Sequence, residues 1–374
     1  MPPGFRPAWV EVDLAALRHN VAVLRDVAAP AEVMAVVKAD AYGHGAGPVA
    51  RAAVEAGAAW LGVALVEEGV ALREAGVDAP VMVLSEPPPE AASTVVAQDL
   101  TPVVYTLPGI EALAKAATGF ERRAPFAVHL KVDTGMHRVG CSVRDAPMLL
   151  EAILDHDELA LGGVCTHFAV ADDPDDGYTA HQLARFDALL HDLAARGLRP
   201  PIVHTANSAA TIMFPDARRD LVRCGIAVYG IAPSPHVGPP VDLQPVLSFK
   251  TRVTHVKRVA AGERISYGLR YRLARDATIA TIPVGYADGV PRNLGHVGGE
   301  VLVRGRRHPI AGTVTMDQLM VDVGDARVDV DDEVVLIGRQ GDEEITATDW
   351  AERLGTIPYE VVCGIGARVP RGYR

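Results

Sequence analysis

The chain has 374 residues, of which 49% are hydrophobic, and carries a formal net charge of −11 from 36 basic and 47 acidic side chains. This length predicts about two domains with sizeable cores, and the acidic balance argues against nucleic acid as a partner. No run of eighteen apolar residues would cross a membrane, and residues 1–7 lack the apolar stretch of a signal peptide, so we expect a cytoplasmic protein without membrane association.

Short apolar runs alternate with helical patterns over residues 33–230. The runs have the length of buried strands and lie at 33–37, 60–64, 81–84, 102–105, 126–132, 160–165, 202–204 and 221–222. Amphipathic stretches between them include 48–56, 67–75 and 181–196. Strands that are each followed by a helix predict a parallel (β/α)8 barrel, with a doubly wound open sheet as the structural alternative.

The pattern changes after a proline-rich segment at 233–240. From residue 246 onward, alternating segments such as 248–253 and 334–337 are separated by Gly and Asp turns, which predicts antiparallel strands. We therefore place the domain boundary near residue 240. The prediction is an N-terminal barrel domain over 1–240 and a C-terminal, mostly β domain over 241–374.

Lys38 ends the apolar run 33–37 and begins a glycine-rich turn. A lysine at the end of a buried strand is either directed to solvent or held for chemistry, for example as an amine that forms a Schiff base with a cofactor aldehyde. Further polar side chains follow other predicted strands, namely Lys131 with Asp133, His167, Asn207 with Ser208, and Arg223. Barrel active sites are built at the carboxyl ends of the strands, so this distribution favours a catalytic site.

Other kinds of site are not supported. The glycines after Lys38 do not form a dinucleotide loop, because the G-x-G-x-x-G pattern would need glycine at Pro48. The acidic segment 172–177 has Pro174 where a calcium loop needs a ligand, so we interpret it as a solvated loop. Four scattered cysteines without a C-x-x-C pair predict reduced thiols, and we expect no bound metal.

Short motifs occur in a fixed order along nearly the whole chain. They are AVVKADAYGHG at 35–45, KVDTGMHRVG at 131–140, THFA at 166–169, ANS at 206–208, VR at 222–223, SYG at 266–268, VGYADG at 284–289, MDQ at 316–318 and RVPR at 368–371. In this combination the chain resembles bacterial alanine racemases that use pyridoxal phosphate (PLP) and join a barrel to a β domain.

The resemblance implies that Lys38 holds PLP as a Schiff base and that two bases act at the substrate Cα. Lys38 would serve the face that handles the D-enantiomer and Tyr267 the face that handles the L-enantiomer, with His167 and Arg223 assisting the tyrosine. Arg223 would also face the pyridine nitrogen, where a permanent positive charge disfavours protonation of the ring. The carbanion would then be short-lived and less available for transamination.

Further roles follow from the same resemblance. The implied cofactor-binding residues are Lys38, Tyr42, His167, Asn207, Ser208, Arg223, Gly225, Ile226 and Tyr359, with the phosphate bound by the hydroxyls of Tyr42, Ser208 and Tyr359 and by the N–H groups of Gly225 and Ile226. The implied substrate-binding residues are Arg138 and Met316. Lys131, which matches a position often carbamylated in the family, would orient Arg138, and His204 and Asp317 are further supporting residues. Asp172, Tyr286 and Arg292 would line the substrate entrance.

The family completes each site with the β domain of a second subunit, which implies a homodimer in which Tyr267 acts across the interface. The implied product use is D-alanine for peptidoglycan. A racemase of serine or of a broader amino-acid set remains an alternative, as does a non-catalytic PLP-binding protein, although small barrel proteins of that kind lack the β domain and its tyrosine.

Thr313 and Thr315 depart from the family pattern, which usually has arginine and cysteine there. Gly364 stands where arginine is common, and Pro358 replaces a usual asparagine or alanine beside Tyr359. The arginine lines the substrate corridor in the family, so Thr313 is expected to change KM or substrate breadth before it changes the chemistry.

Overall fold

The structure is a computed structural model that describes residues 5–234 and 241–374. Contacts divide it into two compact units. The unit that we call the barrel unit comprises Leu17–Ala41 and Ala46–Gln244, and the β unit comprises the N-terminal segment to Ala16, Tyr42–Gly45 and Pro245–Arg374. The predicted boundary near residue 240 lies outside the described residues.

The secondary-structure elements are numbered here in chain order. The strands are β1 (Ala8–Val12), β2 (Glu32–Val36), β3 (Trp60–Val63), β4 (Val81–Val83), β5 (Leu100–Val104), β6 (Phe126–Asp133), β7 (Cys141–Ser142), β8 (Leu159–Cys165), β9 (Ile202–His204), β10 (Leu221–Cys224), β11 (Leu247–Arg252), β12 (His255–Val259), β13 (Arg264–Ile265), β14 (Tyr271–Arg272), β15 (Ala277–Ile282), β16 (Glu300–Val303), β17 (Arg306–Pro309), β18 (Leu319–Gly324), β19 (Glu333–Gln340), β20 (Glu343–Ile345) and β21 (Arg371–Tyr373). The α-helices are α1 (Leu14–Ala28), α2 (Ala46–Glu55), α3 (Val66–Glu74), α4 (Ala92–Ala97), α5 (Leu107–Ala117), α6 (Ala146–Leu154), α7 (Tyr178–Ala195), α8 (Ser208–Met213), α9 (Ala347–Leu354) and α10 (Pro358–Cys363).

The barrel unit is built on parallel strands in the order β10-β2-β3-β4-β5-β6-β8-β9. Backbone hydrogen bonds from Asp220 N to Val203 O (3.0 Å) and from Arg223 N to Ala206 O (2.9 Å) join the segments of β9 and β10, which bring the ring close to closure. Each predicted apolar run overlaps one of these strands. The (β/α)8 prediction is therefore confirmed, and the open-sheet alternative is excluded.

Burial explains why these strands read as continuous apolar runs. All three residues of β4 are buried, because helices cover the outside of the barrel and side chains fill its inside. The covering helix α7 buries Thr179, Gln182, Phe186, Leu189 and Leu193 on one face, and its other residues are half-buried or exposed. The carboxyl ends of the strands remain as the edge on which a site can form.

The β unit contains a mixed sheet in the order β17-β16-β19-β11-β1-β21, a three-stranded sheet β12-β15-β18 and the pair β13-β14. The predicted strands at 248–253 and 334–337 correspond to β11 and β19, which pair antiparallel. Strand β1 also lies in this unit, where Val10 pairs with Phe249 and with Arg371, although the sequence prediction placed residues 1–240 in the barrel domain. Within the described part of the chain, no helix has the length and apolarity needed to cross a bilayer.

Candidate active site

Lys38 follows β2 and is half-buried. The next four residues, Ala39–Tyr42, all have φ between 51° and 54°, so the chain makes a left-handed turn without glycine. Such backbone costs roughly 1–2 kcal/mol per residue and needs external support. Glu68 Oε1 accepts from the N–H of Ala39 at 2.6 Å, and Asp40 Oδ1 accepts from the N–H of Ala46 at 2.7 Å. These two carboxylates hold the turn that begins at the lysine.

Arg223, on β10, is buried and donates to three carbonyl oxygens: those of Thr166 (2.7 Å), His204 (2.9 Å) and Thr205 (2.9 Å). It also contacts Nδ1 of His204 at 2.9 Å and Nδ1 of His167 at 3.2 Å. A guanidinium can only donate, so both Nδ1 atoms accept and both imidazoles are neutral with the proton on Nε2. Burial, together with the Arg223 charge, lowers the pKa of His167 and of His204 well below the ordinary value.

His129, which is also buried, extends this series of hydrogen bonds beyond His204. His204 Nε2 donates to Nδ1 of His129, on β6, at 2.9 Å, and burial lowers the pKa of His129 to about 4. Its Nε2 has no hydrogen-bond partner among the described residues. A Cβ on Gly163 would lie 2.6 Å from the His129 ring, so β8 leaves the imidazole its space by carrying no side chain there. Sequence reasoning missed His129; the signal was a polar residue inside an apolar strand.

Positive charges surround His167. Lys131, on β6, donates to the Leu84 carbonyl at 3.0 Å, and burial lowers its pKa, with further lowering by Arg223, Arg138 and Lys38. The same four cations lower the pKa of His167. Lys131, Arg138 and His167 line one small pocket. This part of the barrel therefore favours an anionic ligand.

A hydroxyl and backbone amides meet where α8 begins. Ser208 is buried, and its Oγ accepts from the N–H of Gly225 at 2.9 Å and from that of Ala227 at 3.4 Å. Asn207 caps the helix by accepting from the N–H of Ala210 at 2.9 Å. Ile226 is fully buried between the two amides. Ser208, Gly225 and Ile226, predicted together, thus lie close to one another at the start of α8.

Tyr42 and Tyr359 lie together in the β unit, with ring centroids 6.1 Å apart. Burial raises the pKa of Tyr42, and neighbouring Tyr359 and Cys363 raise it further. The Tyr42 hydroxyl is therefore a protonated donor at neutral pH, as binding of a phosphate oxygen requires.

Tyr267 stands on a turn of the β unit and is 70% exposed. Thr313 Oγ1 donates to its carbonyl oxygen at 2.9 Å. Tyr286 and Met316 are exposed as well, and the N–H of Tyr286 donates to the carbonyl of Thr315 at 3.0 Å, which places Tyr286 beside the residue preceding Met316. Asp317 pairs with Arg368 at 2.8 Å.

Two of the residues predicted to line the substrate entrance, Arg292 and Asp172, are exposed. Arg292 is exposed in the β unit, and its carbonyl accepts from the N–H of Val314 at 3.3 Å. Asp172 is exposed in the barrel unit, and its carbonyl accepts from the Ser234 hydroxyl at 2.6 Å. The acidic loop around Asp172 is thus a surface loop, as the sequence predicts.

The chain matches two family models over most of its length, the alanine racemase N-terminal domain over residues 12–233 and the C-terminal domain over 246–373. It is 52% identical over 371 residues to the alanine racemase of Symbiobacterium thermophilum, with 99% of this chain and 98% of the relative covered. The crystal structure of the Bacillus anthracis alanine racemase with bound L-Ala-P has a TM-score of 0.93 at 42% identity, covering 100% and 96% of the two chains. A histidine racemase from Leuconostoc mesenteroides has a TM-score of 0.89 at 32% identity, covering 100% and 99%.

Proposed function

Since the chain belongs to the alanine racemase family, and is thus an isomerase, we propose that it interconverts L-alanine and D-alanine by a two-base mechanism with PLP as cofactor. The observation that carries the proposal is the arrangement at the carboxyl ends of the barrel strands. Lys38 follows β2, and the neighbouring strand β10 carries a buried arginine, Arg223, whose partners are carbonyls and neutral imidazoles.

The residues present fit PLP. Four cations, Lys38, Lys131, Arg138 and Arg223, act on the half-buried imidazole of His167, and PLP brings a phosphate while an amino acid brings a carboxylate. Lys38 would hold the cofactor aldehyde through its amine, and the Ser208 hydroxyl with the Gly225 and Ile226 amides would bind the phosphate. When bound, PLP supplies an electron sink that makes the Cα–H of an amino acid acidic.

Racemisation needs one base on each face of Cα. The Lys38 amine would remove or return the proton on the D face, and the Tyr267 phenol oxygen would do so on the L face. A proton taken by one group is replaced from the other, so the product has inverted configuration. The low pKa of His167 keeps its imidazole neutral, and because its Nδ1 accepts from Arg223, its Nε2–H is the group that would donate a hydrogen bond to the phenol oxygen.

Arg223 would face the pyridine nitrogen of the cofactor. Its hydrogen bonds to the carbonyls of Thr166, His204 and Thr205 fix the guanidinium plane and preserve its charge inside the barrel. A fixed cation at that position opposes protonation of the ring nitrogen, which disfavours the electron withdrawal that side reactions such as transamination need.

Arg138 would bind the substrate carboxylate, with Lys131 as the group that orients it. The lowered pKa of Lys131 increases the neutral fraction of its amine, which is the form that reacts with carbon dioxide, and carbamylation would replace a cation by an anion near Arg138 and Arg223. Peptide mass spectrometry under bicarbonate tests this. A mass increase of one carbon dioxide on the Lys131 peptide supports it, and an unmodified amine at saturating bicarbonate contradicts it.

We further propose a homodimer in which Tyr267 completes the site of the second subunit. The exposure of Tyr267, Tyr286 and Met316 on the β unit supports a shared interface. Mixing Lys38→Ala with Tyr267→Phe subunits tests the arrangement. Activity regained on mixing, up to about a quarter of the wild-type value if subunits exchange at random and half of the dimers carry one intact site, supports action across the interface. Mixed dimers that form but stay inactive contradict it.

The D-alanine would be formed in the cytoplasm and would be used for the synthesis of peptidoglycan. Serine or a broader amino-acid set remains the second candidate substrate, and the similarity to a histidine racemase is the observation that favours testing it. Chiral chromatography after incubation with L-alanine, L-serine and L-histidine decides between them. The proposal expects the highest kcat/KM for alanine, and a higher value for serine or histidine contradicts it.

A further inference from the structure

Three segments of the β unit pack closely around the carbonyl of Tyr267. They are the turn at 265–269, the pair Gly312–Thr313, and the short helical turn Leu294–His296. A Cβ on Gly312 (φ 87°) would lie 2.9 Å from the Ile265 carbonyl oxygen, and a Cβ on Gly295 would lie 2.1 Å from the Gly312 carbonyl oxygen. Glycine is required at both positions because the backbones touch, so the stacking of the three segments is built into the fold.

A directed chain of hydrogen bonds runs through this stack. Thr313 Oγ1 lies 2.9 Å from the Tyr267 carbonyl oxygen and 2.9 Å from His296 Nε2. The carbonyl can only accept, so the threonine hydroxyl donates to it and itself accepts from the Nε2–H of His296. Ser266 Oγ donates back to the Thr313 carbonyl at 2.5 Å. Thr313 is 3% exposed, whereas Tyr267 is 70% exposed, so a buried side chain anchors the backbone of an exposed one.

The backbone of this turn has an unfavourable conformation that needs support from other segments. Ser266 (φ 64°), Gly268 (φ 75°) and Leu269 (φ 51°) are all in the left-handed region, and two of them carry side chains. Non-glycine residues persist there only when surrounding contacts fix them. Within the turn, Leu269 N donates to the Ser266 carbonyl at 3.0 Å. Thr313 holds the turn from outside, through its carbonyl to the Ser266 hydroxyl and through its hydroxyl to the Tyr267 carbonyl.

We propose that Thr313, backed by His296, is a positioning residue for the tyrosine base. It holds the Tyr267 carbonyl, and thereby the direction of the ring, so that the phenol oxygen reaches the L face of Cα. This inference rests on the proposed function in one respect, that Tyr267 is the L-face base. Removing the Thr313 hydroxyl should therefore slow the proton transfer on the L face selectively.

Thr313→Val tests this, because valine keeps the shape of threonine and lacks its hydroxyl. Loss of one hydrogen bond predicts a kcat about threefold to tenfold lower with a smaller change in KM. Thr313→Ser keeps the hydroxyl and should restore kcat. His296→Leu, at an exposed position, should give an intermediate loss because the threonine then lacks its donor. Thr254→Val, which removes a threonine hydroxyl bonded to the Thr281 carbonyl elsewhere in the β unit, is the matched control.

Isotope effects separate positioning of Tyr267 from general damage. With Thr313→Val, the α-deuterium isotope effect on kcat should rise for L-alanine, whose proton Tyr267 removes, and fall for D-alanine, whose proton Lys38 removes. Amide hydrogen exchange of the peptide covering 264–270 should be faster in the apo-protein of Thr313→Val than in that of Thr254→Val. An unchanged kcat, or a lower kcat with both isotope effects unchanged, overturns the proposal.

The variant Tyr267→Phe distinguishes failure of the positioning role of Thr313 from failure of the proposal that Tyr267 is the base. If Tyr267→Phe abolishes racemisation while Thr313→Val behaves like wild type, only the positioning role is wrong. If Tyr267→Phe retains wild-type rates and isotope effects, the tyrosine is not the base, and the positioning role is overturned together with that part of the proposed function.

Discussion

The buried imidazole of His129 should make the protein less stable in mild acid. Burial lowers its pKa from 6.5 to about 4, so between these values the unfolded chain binds a proton that the folded chain does not. Stability is therefore complete above about pH 6.5 and falls as the pH falls toward 4. Between the two pKa values, each pH unit lowers the free energy of unfolding by about 1.4 kcal/mol for one such group. His129 alone therefore accounts for a loss of about 3 kcal/mol at pH 4.

The variant His129→Asn isolates this contribution. Its amide oxygen offers an acceptor close to the position of Nδ1, which receives the proton of His204 Nε2 in the wild type, and asparagine does not titrate. The assay is urea unfolding followed by circular dichroism at several pH values between 7 and 4. His191→Asn, on the exposed face of α7, is the matched control in the barrel unit.

The comparison is between slopes, because the substitution also changes stability by an amount that does not depend on pH. The wild type and His191→Asn should lose about 3 kcal/mol more than His129→Asn between pH 7 and pH 4. Equal losses in all three proteins would refute the reasoning, since His129 would then carry no buried, proton-excluding imidazole.

Three further predictions concern the barrel and the turn of the tyrosine. Arg223→Gln should raise the pKa of His167, because the guanidinium helps to lower it, and a histidine NMR titration that does not move contradicts this. Gly163→Ala should lower the free energy of unfolding by about 1–3 kcal/mol, since the new Cβ would lie 2.4 Å from the Ile202 carbonyl oxygen; Gly47→Ala, whose Cβ meets its nearest atom at 3.4 Å, is the control that should not be destabilised. Thr313→Arg should change KM and the ranking of amino-acid substrates, because it replaces a buried hydroxyl by a long cation, and unchanged values of both would refute a role in selectivity.

The barrel could be predicted from the sequence because its strands are local apolar runs of buried length. Each run could be recognised by itself, and the polar residues Lys38, His167 and Arg223 at the strand ends predicted the edge on which we propose the site. Strand β1 was not predicted, because its partners are Leu247–Arg252 and Arg371–Tyr373, more than 200 residues away along the chain. A five-residue strand with such distant partners has no local signal beyond its alternation.

Details of the site depended on contacts that a sequence does not display. The left-handed turn Ala39–Tyr42 contains no glycine, so only its supporting carboxylates reveal it. His129 reads as one polar residue in an apolar strand until its place beside His204 is known. Thr313 could be identified as a departure from the family pattern, but its contact with the Tyr267 carbonyl arises from the packing of Gly312 against Ile265.

Incubation of the PLP-loaded protein with L-alanine in deuterated water tests the central claim most directly. Product chirality and deuterium at Cα are read together by chiral chromatography and mass spectrometry. The account predicts D-alanine that carries deuterium at Cα, with formation lost in Lys38→Ala and in Tyr267→Phe. D-alanine without deuterium would contradict proton exchange through the two bases, and no D-alanine from the loaded protein would contradict alanine as its substrate.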